Sequence, residues 1–136
     1  MKLSIVIVCW NDLKVIRDCL RSIYAATRSV EFEVIVSDNG STDGSVEFIH
    51  ENYPSVRVLQ NRANLGFSKG NNVGIGVSQG EYILILNPDT VLHEGALDTW
   101  IQFADAHPEA GGFGCRVLNP DGSYQGSARP FPTNGR

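Results

Sequence analysis

The residues of this sequence that are best suited to chemistry stand where short apolar runs stop. One run is followed by Trp10 and Asn11, a second by Asp38 and Asn39, and a third by Asn87-Pro88-Asp89. An indole can stack on a flat ring, and a carboxylate can accept a hydrogen bond from an imide or a hydroxyl. A carboxylate beside an amide suits a hard cation, which can in turn hold a diphosphate. Together these groups predict a nucleotide-binding site.

Each of these residues also has an ordinary structural explanation. Trp10 can be a partly buried core aromatic, Asp38 a turn former and Asp89 a helix cap. Asn, Pro and Asp are among the commonest turn residues, so residues 87–89 alone do not decide between the two interpretations. What favours a site is the expectation that the three positions share one edge of a sheet.

The elements that position these residues can be predicted from the apolar runs. The run 82–86 has no alternation, which predicts a strand buried on both faces that Pro88 brings to an end. Further strands are expected at 3–9, 32–36, 56–59 and 112–118, the last followed by a turn at 119–122. Helices are expected after an Asn11 or Asp12 cap, from about residue 46, over 68–78 and from about 94 to 107.

This order predicts an α/β fold: a mostly parallel central sheet with helices on both faces and right-handed crossovers. Gly70, Gly74 and Gly76 lie in the third predicted helix, where glycine is costly. They can serve close packing on the sheet or close approach to a ligand, and the pattern favours packing for Gly74 and Gly76.

Composition narrows the function classes. The chain has 136 residues, enough for a single domain with a real core, and a formal net charge of -4, which argues against a nucleic-acid partner. Three cysteines without C-x-x-C spacing fit neither a zinc site nor a disulfide framework and indicate a reducing compartment. We find no signal-peptide pattern and no apolar run near the roughly 20 residues of a spanning helix, so a cytoplasmic protein is expected. The G-x-G-x-x-G, P-loop and G-x-S-x-G motifs are absent from the sequence.

Several segments resemble family-2 glycosyltransferases of the GT-A fold, whose nucleotide-binding half is Rossmann-like. They are residues 5–11, 19–23, 33–45, 64–67, 70–75 and 80–90. The resemblance covers nearly the whole chain, and it is closest to the bacterial rhamnosyltransferase-like branch, which also carries a segment similar to 118–123.

The resemblance implies roles for individual residues. Val8 and Trp10 match positions that line the base pocket, and Asp38 matches the acid that reads the base or ribose. Asn87-Pro88-Asp89 matches the DxD-type motif, with Asp89 as the ligand of Mg2+ or Mn2+; Asn87 replaces the first acid and weakens the metal site by one charge. Lys69 and Asn72 match a region near the donor. Asn11 and Asn39, which stand beside Trp10 and Asp38 at the strand ends, are added to the predicted site.

The resemblance also implies an activity: transfer of a sugar from a UDP- or dTDP-sugar to a glycan or lipid-linked acceptor, as in cell-surface polysaccharide synthesis. Such enzymes carry a second half with the acceptor site and the catalytic base. We therefore expect residues 1–136 to be one nucleotide-sugar-binding domain, with the base beyond Arg136, an apolar surface that favours homo-oligomers, and a longer protein at the inner face of the membrane.

Two other functions remain open from the residues. One is a non-catalytic nucleotide-binding or interaction module that lacks an acceptor half. The other is a nucleotidyltransferase, although such enzymes show a glycine-rich and basic loop after the first strand, and Trp10-Asn11-Asp12 is not one.

Overall fold

Strands and helices alternate along the part of the chain that the structure describes. A computed structural model describes residues 1–112. The elements are β1 (Leu3–Cys9), α1 (Leu13–Ala26), β2 (Phe32–Asp38), α2 (Ser45–Asn52), β3 (Arg57–Gln60), α3 (Gly66–Val77), β4 (Tyr82–Ile85) and α4 (Ala96–Ala106). The predicted turn at 119–122 and all but the first residue of the strand predicted at 112–118 lie outside the described residues.

The described strands form one parallel sheet in the order β3-β2-β1-β4. In the register, Cys9 lies opposite Asp38, and Val6 lies opposite Ile85 on the other side of β1. Because all four strands run the same way, their carboxyl ends meet at one edge. The predicted α/β class with a parallel sheet is confirmed.

Helices cover both faces of the sheet. Successive side chains of a strand point to opposite faces, and Val6 and Val8 of β1 point toward the glycines of α3. Cys9 lies on the opposite face, close enough to Cys19 of α1 to raise the pKa of that thiol. The core therefore lies on the two sides of β1 and β2, whose Ile5, Ile7, Ile35 and Val36 are fully buried.

β4 corrects the prediction of a strand buried on both faces. Ile83 and Ile85 are each 40% exposed, and among the described strands β4 pairs only with β1. Ile83 and Ile85 lie on the same face of the sheet as Ser4 and Val6, their partners in the register. On that face α3 contacts β1 and β2, which leaves the side chains of β4 exposed. An apolar run predicts a strand, but it does not say whether that strand lies at the centre of a sheet or at its edge.

The glycines of α3 divide into two groups. A Cβ added to Gly74 would come 2.5 Å from Val6 Cγ1, whereas a Cβ on Gly76 would meet nothing within 4 Å. Packing on the sheet is therefore confirmed for Gly74 and wrong for Gly76. Two residues correspond to about 200° of helix rotation, so Gly76 faces away from the strand that Gly74 contacts.

The chain separates into two compact units, Met1–Asp98 and Thr99–Arg136. The sheet belongs to the first unit. The described part of the second contains the end of α4, where the rings of Phe103 and His107 stack with centroids 4.1 Å apart. Within residues 1–112 no helix combines the length and apolarity needed to cross a bilayer. The expectation of a single domain over 1–136 stays a prediction.

Candidate functional site

Three neighbouring strands bring their polar ends to one edge of the sheet. Asn39 N–H donates to the carbonyl of Cys9 over 2.8 Å, which joins the end of β2 to the end of β1. Leu86 N–H donates to the carbonyl of Val6 over 3.0 Å, which holds the chain beyond β4 alongside β1. The segments that carry Trp10, Asp38 and Asp89 thus leave adjacent parallel strands, with that of Trp10 in the middle.

Asp38 is 2% exposed, and both of its carboxylate oxygens are used within its own loop. Oδ2 accepts from the backbone N–H groups of Gly40 and Ser41 at 3.2 and 3.0 Å. Oδ1 accepts from the hydroxyl of Ser41 at 2.6 Å. This is the arrangement expected of a turn former, and a role for Asp38 toward a base or ribose stays a prediction.

Asn11 ties the loop after β1 to the loop after β2. Its N–H donates to Ser41 Oγ at 2.9 Å, and its Oδ1 accepts from Thr42 N–H at 2.8 Å. The backbone of Asn11 has φ of +51°, in the left-handed region that asparagine tolerates better than most residues. Asn11 therefore fixes the chain just after Trp10, whose side chain is left 51% exposed and open to a stacking partner.

Asp43 serves the first turns of two helices. One oxygen accepts from Leu13 N–H at the start of α1, and the other accepts from Ser45 N–H at the start of α2, both at 3.0 Å. Asp12 is the N-cap residue of α1, as one of the two predicted alternatives has it, but its side chain makes no capping bond and accepts from Trp10 N–H at 2.9 Å instead. Partial desolvation opposes ionisation of Asp43, but the bonds from Ser45 and Leu13 outweigh it and lower the pKa of Asp43.

Asn39 is 3% exposed and organises the loop between β3 and α3. Its Nδ2 donates to the carbonyl of Gly66 at 3.2 Å and to Asn64 Oδ1 at 3.4 Å, while its Oδ1 accepts from Asn61 Nδ2 at 2.9 Å. Sequence reasoning missed Asn61 and Asn64. Their signal was the Asn-rich polar loop at 60–67, which shows no hydrophobic period to explain it.

α3 presents its predicted donor-side residues away from the sheet. Gly70 faces Val8, whose two methyl carbons would lie 3.0 and 3.1 Å from an added Cβ. Lys69 and Asn72 are exposed, and at about 100° per residue they point away from Gly70 and from the strand ends below it. Their neighbour Asn71, which sequence reasoning passed over, is only 6% exposed, and its Oδ1 has no donor among the described residues.

Asn87 and Asp89 are exposed in a turn closed by Thr90 N–H on the carbonyl of Asn87 at 3.1 Å. The turn lies against α1, because the thiol of Cys19 donates to the same carbonyl at 3.9 Å. Burial, with smaller contributions from the charges of Asp89 and Cys9, raises the pKa of Cys19 to about 12. Asp89 therefore lies near Cys19.

Asp89 fits only one kind of metal site. No group of three or more His, Cys, Asp or Glu side chains able to hold an ion occurs within residues 1–112. A single carboxylate suits an ion that takes its other ligands from phosphate and water, which is how Mg2+ is commonly bound beside a diphosphate. The chemistry of this donor set is thus compatible with Mg2+ or Mn2+ on a nucleotide.

Cys9 and Cys19 are fully buried, as predicted for core residues. Burial raises the pKa of Cys9 to about 11, and the carboxylates of Asp12 and Asp38 act in the same direction. Both thiols are therefore protonated near neutral pH, which makes neither of them a nucleophile at this edge.

Comparison with known proteins places this geometry in a family. The family model described as "Glycosyl transferase family 2" matches residues 4–134. An N-acetylglucosaminyl-diphospho-decaprenol L-rhamnosyltransferase of Mycobacterium tuberculosis is 34% identical over 111 residues, which are 74% of this chain and 36% of that protein. A poly(ribitol-phosphate) beta-glucosyltransferase of Bacillus spizizenii is 34% identical over 109 residues, 76% of this chain and 17% of that protein.

Solved structures agree with these relatives. The crystal structure of Staphylococcus aureus TarS residues 1–349 with UDP-GlcNAc matches with a TM-score of 0.72 and 25% identity, over 90% of this chain and 42% of that one. The chain thus spans well under half the length of the relatives named here. The match to the family model and the shared GT-A architecture confirm the resemblance seen in the sequence, and the chain belongs to glycosyl transferase family 2.

Proposed function

We propose that the strand-end site binds a nucleotide-diphosphate sugar, a UDP- or dTDP-sugar in particular, as the donor for transfer to a glycan or lipid-linked acceptor. The observation that carries the proposal is the adjacency of an exposed aromatic, Trp10, and an exposed turn, Asn87–Asp89, at the ends of paired parallel strands. The likeness to TarS solved with UDP-GlcNAc supports a sugar nucleotide as the ligand.

The site divides into a rigid floor and accessible groups. Asp38 and Asn39 are buried and hold the loops after β2 and β3, so they fix the floor. Trp10 stands open above it and stacks on the base in this proposal. Val8 and the bare backbone at Gly70 shape the wall between β1 and α3.

Asp89 and Asn87 serve the diphosphate end. In this proposal Asp89 would hold Mg2+ or Mn2+, and Asn87 would add an uncharged amide where a second acid would give a stronger site. A bound cation would neutralise the charge that develops on the leaving diphosphate as the glycosidic bond breaks. This proposal assigns neither the acceptor site nor the general base to residues 1–112.

A ligand panel tests the donor class. Ligands that bind only the native state raise the unfolding temperature, so UDP-, dTDP- and GDP-sugars are compared with and without Mn2+. We expect a shift for a UDP- or dTDP-sugar that grows with Mn2+, and we expect Asp89→Asn to remove the Mn2+-dependent part. Glu51→Gln changes an exposed carboxylate on α2 that accepts no hydrogen bond from residues 1–112, and it is the matched charge control. A full shift in Asp89→Asn would place the ion elsewhere.

Trp10→Ala tests the base end. Stacking on an aromatic is worth about 1–3 kcal/mol per base, so loss of the indole should weaken nucleotide binding roughly tenfold or more, with or without Mn2+. The fold should survive because the side chain is 51% exposed. Phe103→Ala removes another aromatic that is 53% exposed and should leave nucleotide binding unchanged. Equal affinities for the two variants would exclude stacking on Trp10.

A further inference from the structure

The chain that follows β4 is laid along α1. We call residues 87–95 the post-β4 segment. Three contacts fix it to the helix: Cys19 Sγ donates to the carbonyl of Asn87 at 3.9 Å, Ser22 Oγ accepts from Leu92 N–H at 2.9 Å, and the carbonyl of Ala26 accepts from Gly95 N–H at 2.9 Å. Asp89 lies between the first and second of these contacts.

The three contacting residues of α1 share one helix face. Their spacing, first three and then four residues, is that of neighbours along a helix surface. At 1.5 Å per residue they span about 10 Å along the axis. The geometry of α1 therefore determines where each of the three contacts holds the post-β4 segment.

Ser22 is the best-determined of these contacts. It is 9% exposed, and its hydroxyl donates to the carbonyl of Cys19 at 2.8 Å while it accepts from Leu92. The single hydroxyl proton is thus committed to the helix, and the free lone pair faces the segment. Removal of the hydroxyl would leave Leu92 N–H without this acceptor.

The far end of the segment is anchored independently. Asp98 accepts from the backbone N–H groups of Arg28, Ser29 and Val30 at 3.0, 2.9 and 3.1 Å. Arg28 Nε also donates to Glu94 Oε1 at 2.9 Å. Because the far end stays anchored by these bonds, loss of the Ser22 contact should loosen the part that contains Asp89 and leave the rest in place.

We propose that Ser22 and Cys19 are positioning residues of the donor site. They hold the turn that carries Asp89 in place, so that its carboxylate is available to the cation on the diphosphate. The inference rests on the proposed function, since it assigns Asp89 to that cation. It adds that metal affinity is set partly by a hydroxyl and a thiol on the helix between β1 and β2, neither of which touches the ion.

The test is a Mn2+ titration of the whole chain with UDP, followed by the shift in unfolding temperature. Outer-shell partners of metal ligands typically change metal affinity by about 10–100-fold, so we expect Ser22→Ala to raise the half-saturating Mn2+ concentration about tenfold. Binding of UDP in EDTA should stay within about twofold of the parent, because Trp10 and Asp38 do not use this contact. Ser22→Thr, which keeps the hydroxyl, should restore the parent value.

Two further variants separate positioning from general destabilisation. Ser55→Ala removes an exposed hydroxyl that lies 3.3 Å from the hydroxyl of Tyr24, away from the post-β4 segment, and should not change the Mn2+ titration. Cys19→Ala should raise the half-saturating Mn2+ concentration, and it carries the test if Ser22→Ala does not fold.

A Mn2+ titration unchanged in both Ser22→Ala and Cys19→Ala overturns the inference while the proposed function stands. Unfolding of both makes the contacts purely structural and also overturns it. Failure of the parent protein to bind UDP at any Mn2+ concentration overturns the proposed function, and the inference with it.

Discussion

Asp38 shows how one residue can satisfy a structural and a functional pattern at once. Its position at the end of β2 matches the family's base-reading acid, yet both of its oxygens accept hydrogen bonds within the loop 38–41. Loss of ligand binding in Asp38→Ala would therefore be ambiguous unless the stability of the fold is measured in the same variant.

We expect Asp38→Ala to lower the free energy of unfolding by about 2–4 kcal/mol, because it leaves the half-buried N–H donors of Gly40 and Ser41 unsatisfied at about 1–3 kcal/mol each. Urea unfolding followed by circular dichroism measures the change. Asp18→Ala removes an exposed carboxylate that pairs with Arg21 at 2.8 Å and should cost less than about 1 kcal/mol. Stability of Asp38→Ala within that same margin would show that its carboxylate does not hold the loop.

Among the elements, α3 packs closely on β1 because Gly74 has no side chain on the face that contacts the sheet. Gly74→Ala would put a methyl carbon 2.5 Å from Val6 Cγ1. We expect it to cost about 1–3 kcal/mol through overpacking, despite a gain of up to about 1 kcal/mol in helix propensity. Gly76→Ala gains the propensity with open space around it and should stabilise the protein. Urea unfolding measures the stability of both variants. Destabilisation by Gly76→Ala, or no destabilisation by Gly74→Ala, would contradict this packing.

Local patterns predicted the elements but not their long-range partners. The runs at 3–9, 32–36 and 82–86 gave the parallel strands because β-branched apolar residues determine a strand locally. The exposed face of β4 could not be predicted, since it depends on which strands and helices lie beside it. The capping of α1 by Asp43 could not be predicted either, because the acceptor stands 30 residues beyond the donor.

Asp98 joins α4 to the loop between α1 and β2 and gives that junction a pH dependence. Backbone hydrogen bonds from Arg28 and Ser29 lower the pKa of Asp98 in the folded protein. Since the unfolded value is about 3.9, its contribution to stability is present above that pH and is lost as the pH falls through the lower folded pKa.

Asp98→Asn should therefore destabilise the protein at pH 6 and have a smaller effect near pH 3, so the variant's stability should depend less on pH than that of the parent. Urea unfolding at the two pH values measures this. Glu51→Gln, which changes an exposed carboxylate that accepts no hydrogen bond within the described part of the chain, serves as the control. An equal destabilisation by Asp98→Asn at both pH values would mean that the charge of Asp98 is not what stabilises the junction.

At the scale of the whole molecule, the sequence predicted the position of the candidate site better than it predicted the directions of its side chains. Parallel order alone predicted that Trp10, Asp38 and Asp89 leave one edge, because every strand of such a sheet ends there. It could not predict which side chains hydrogen-bond between loops or are buried: Asn11 and Asn39 each bond to a neighbouring loop, and Asn71 is buried beside the exposed Asn72. Side-chain direction depends on hydrogen bonds between loops that are distant in the chain.

The described strand ends also bear on catalysis. A general base must reach the acceptor hydroxyl within hydrogen-bonding distance, and the carboxylates near this edge are committed elsewhere. Asp12 accepts from Trp10 N–H, Asp38 is buried in its loop and Asp43 caps two helices. Among the carboxylates that residues 1–112 bring near this edge, Asp89 is left, and the proposed function assigns it to the cation.

We therefore expect residues 1–136 to bind a sugar nucleotide with Mn2+ while transferring sugar at least about a hundredfold more slowly than a longer member of the family, since acid–base catalysis is typically worth 10²–10⁴-fold. Release of UDP, measured with and without added acceptor glycans, compares the two proteins at saturating donor. Replacing the corresponding acid of the longer protein by asparagine controls for loss of the cation, and should lower donor binding as well as rate. Equal turnover by residues 1–136 would show that this chain supplies its own general base and would contradict the prediction.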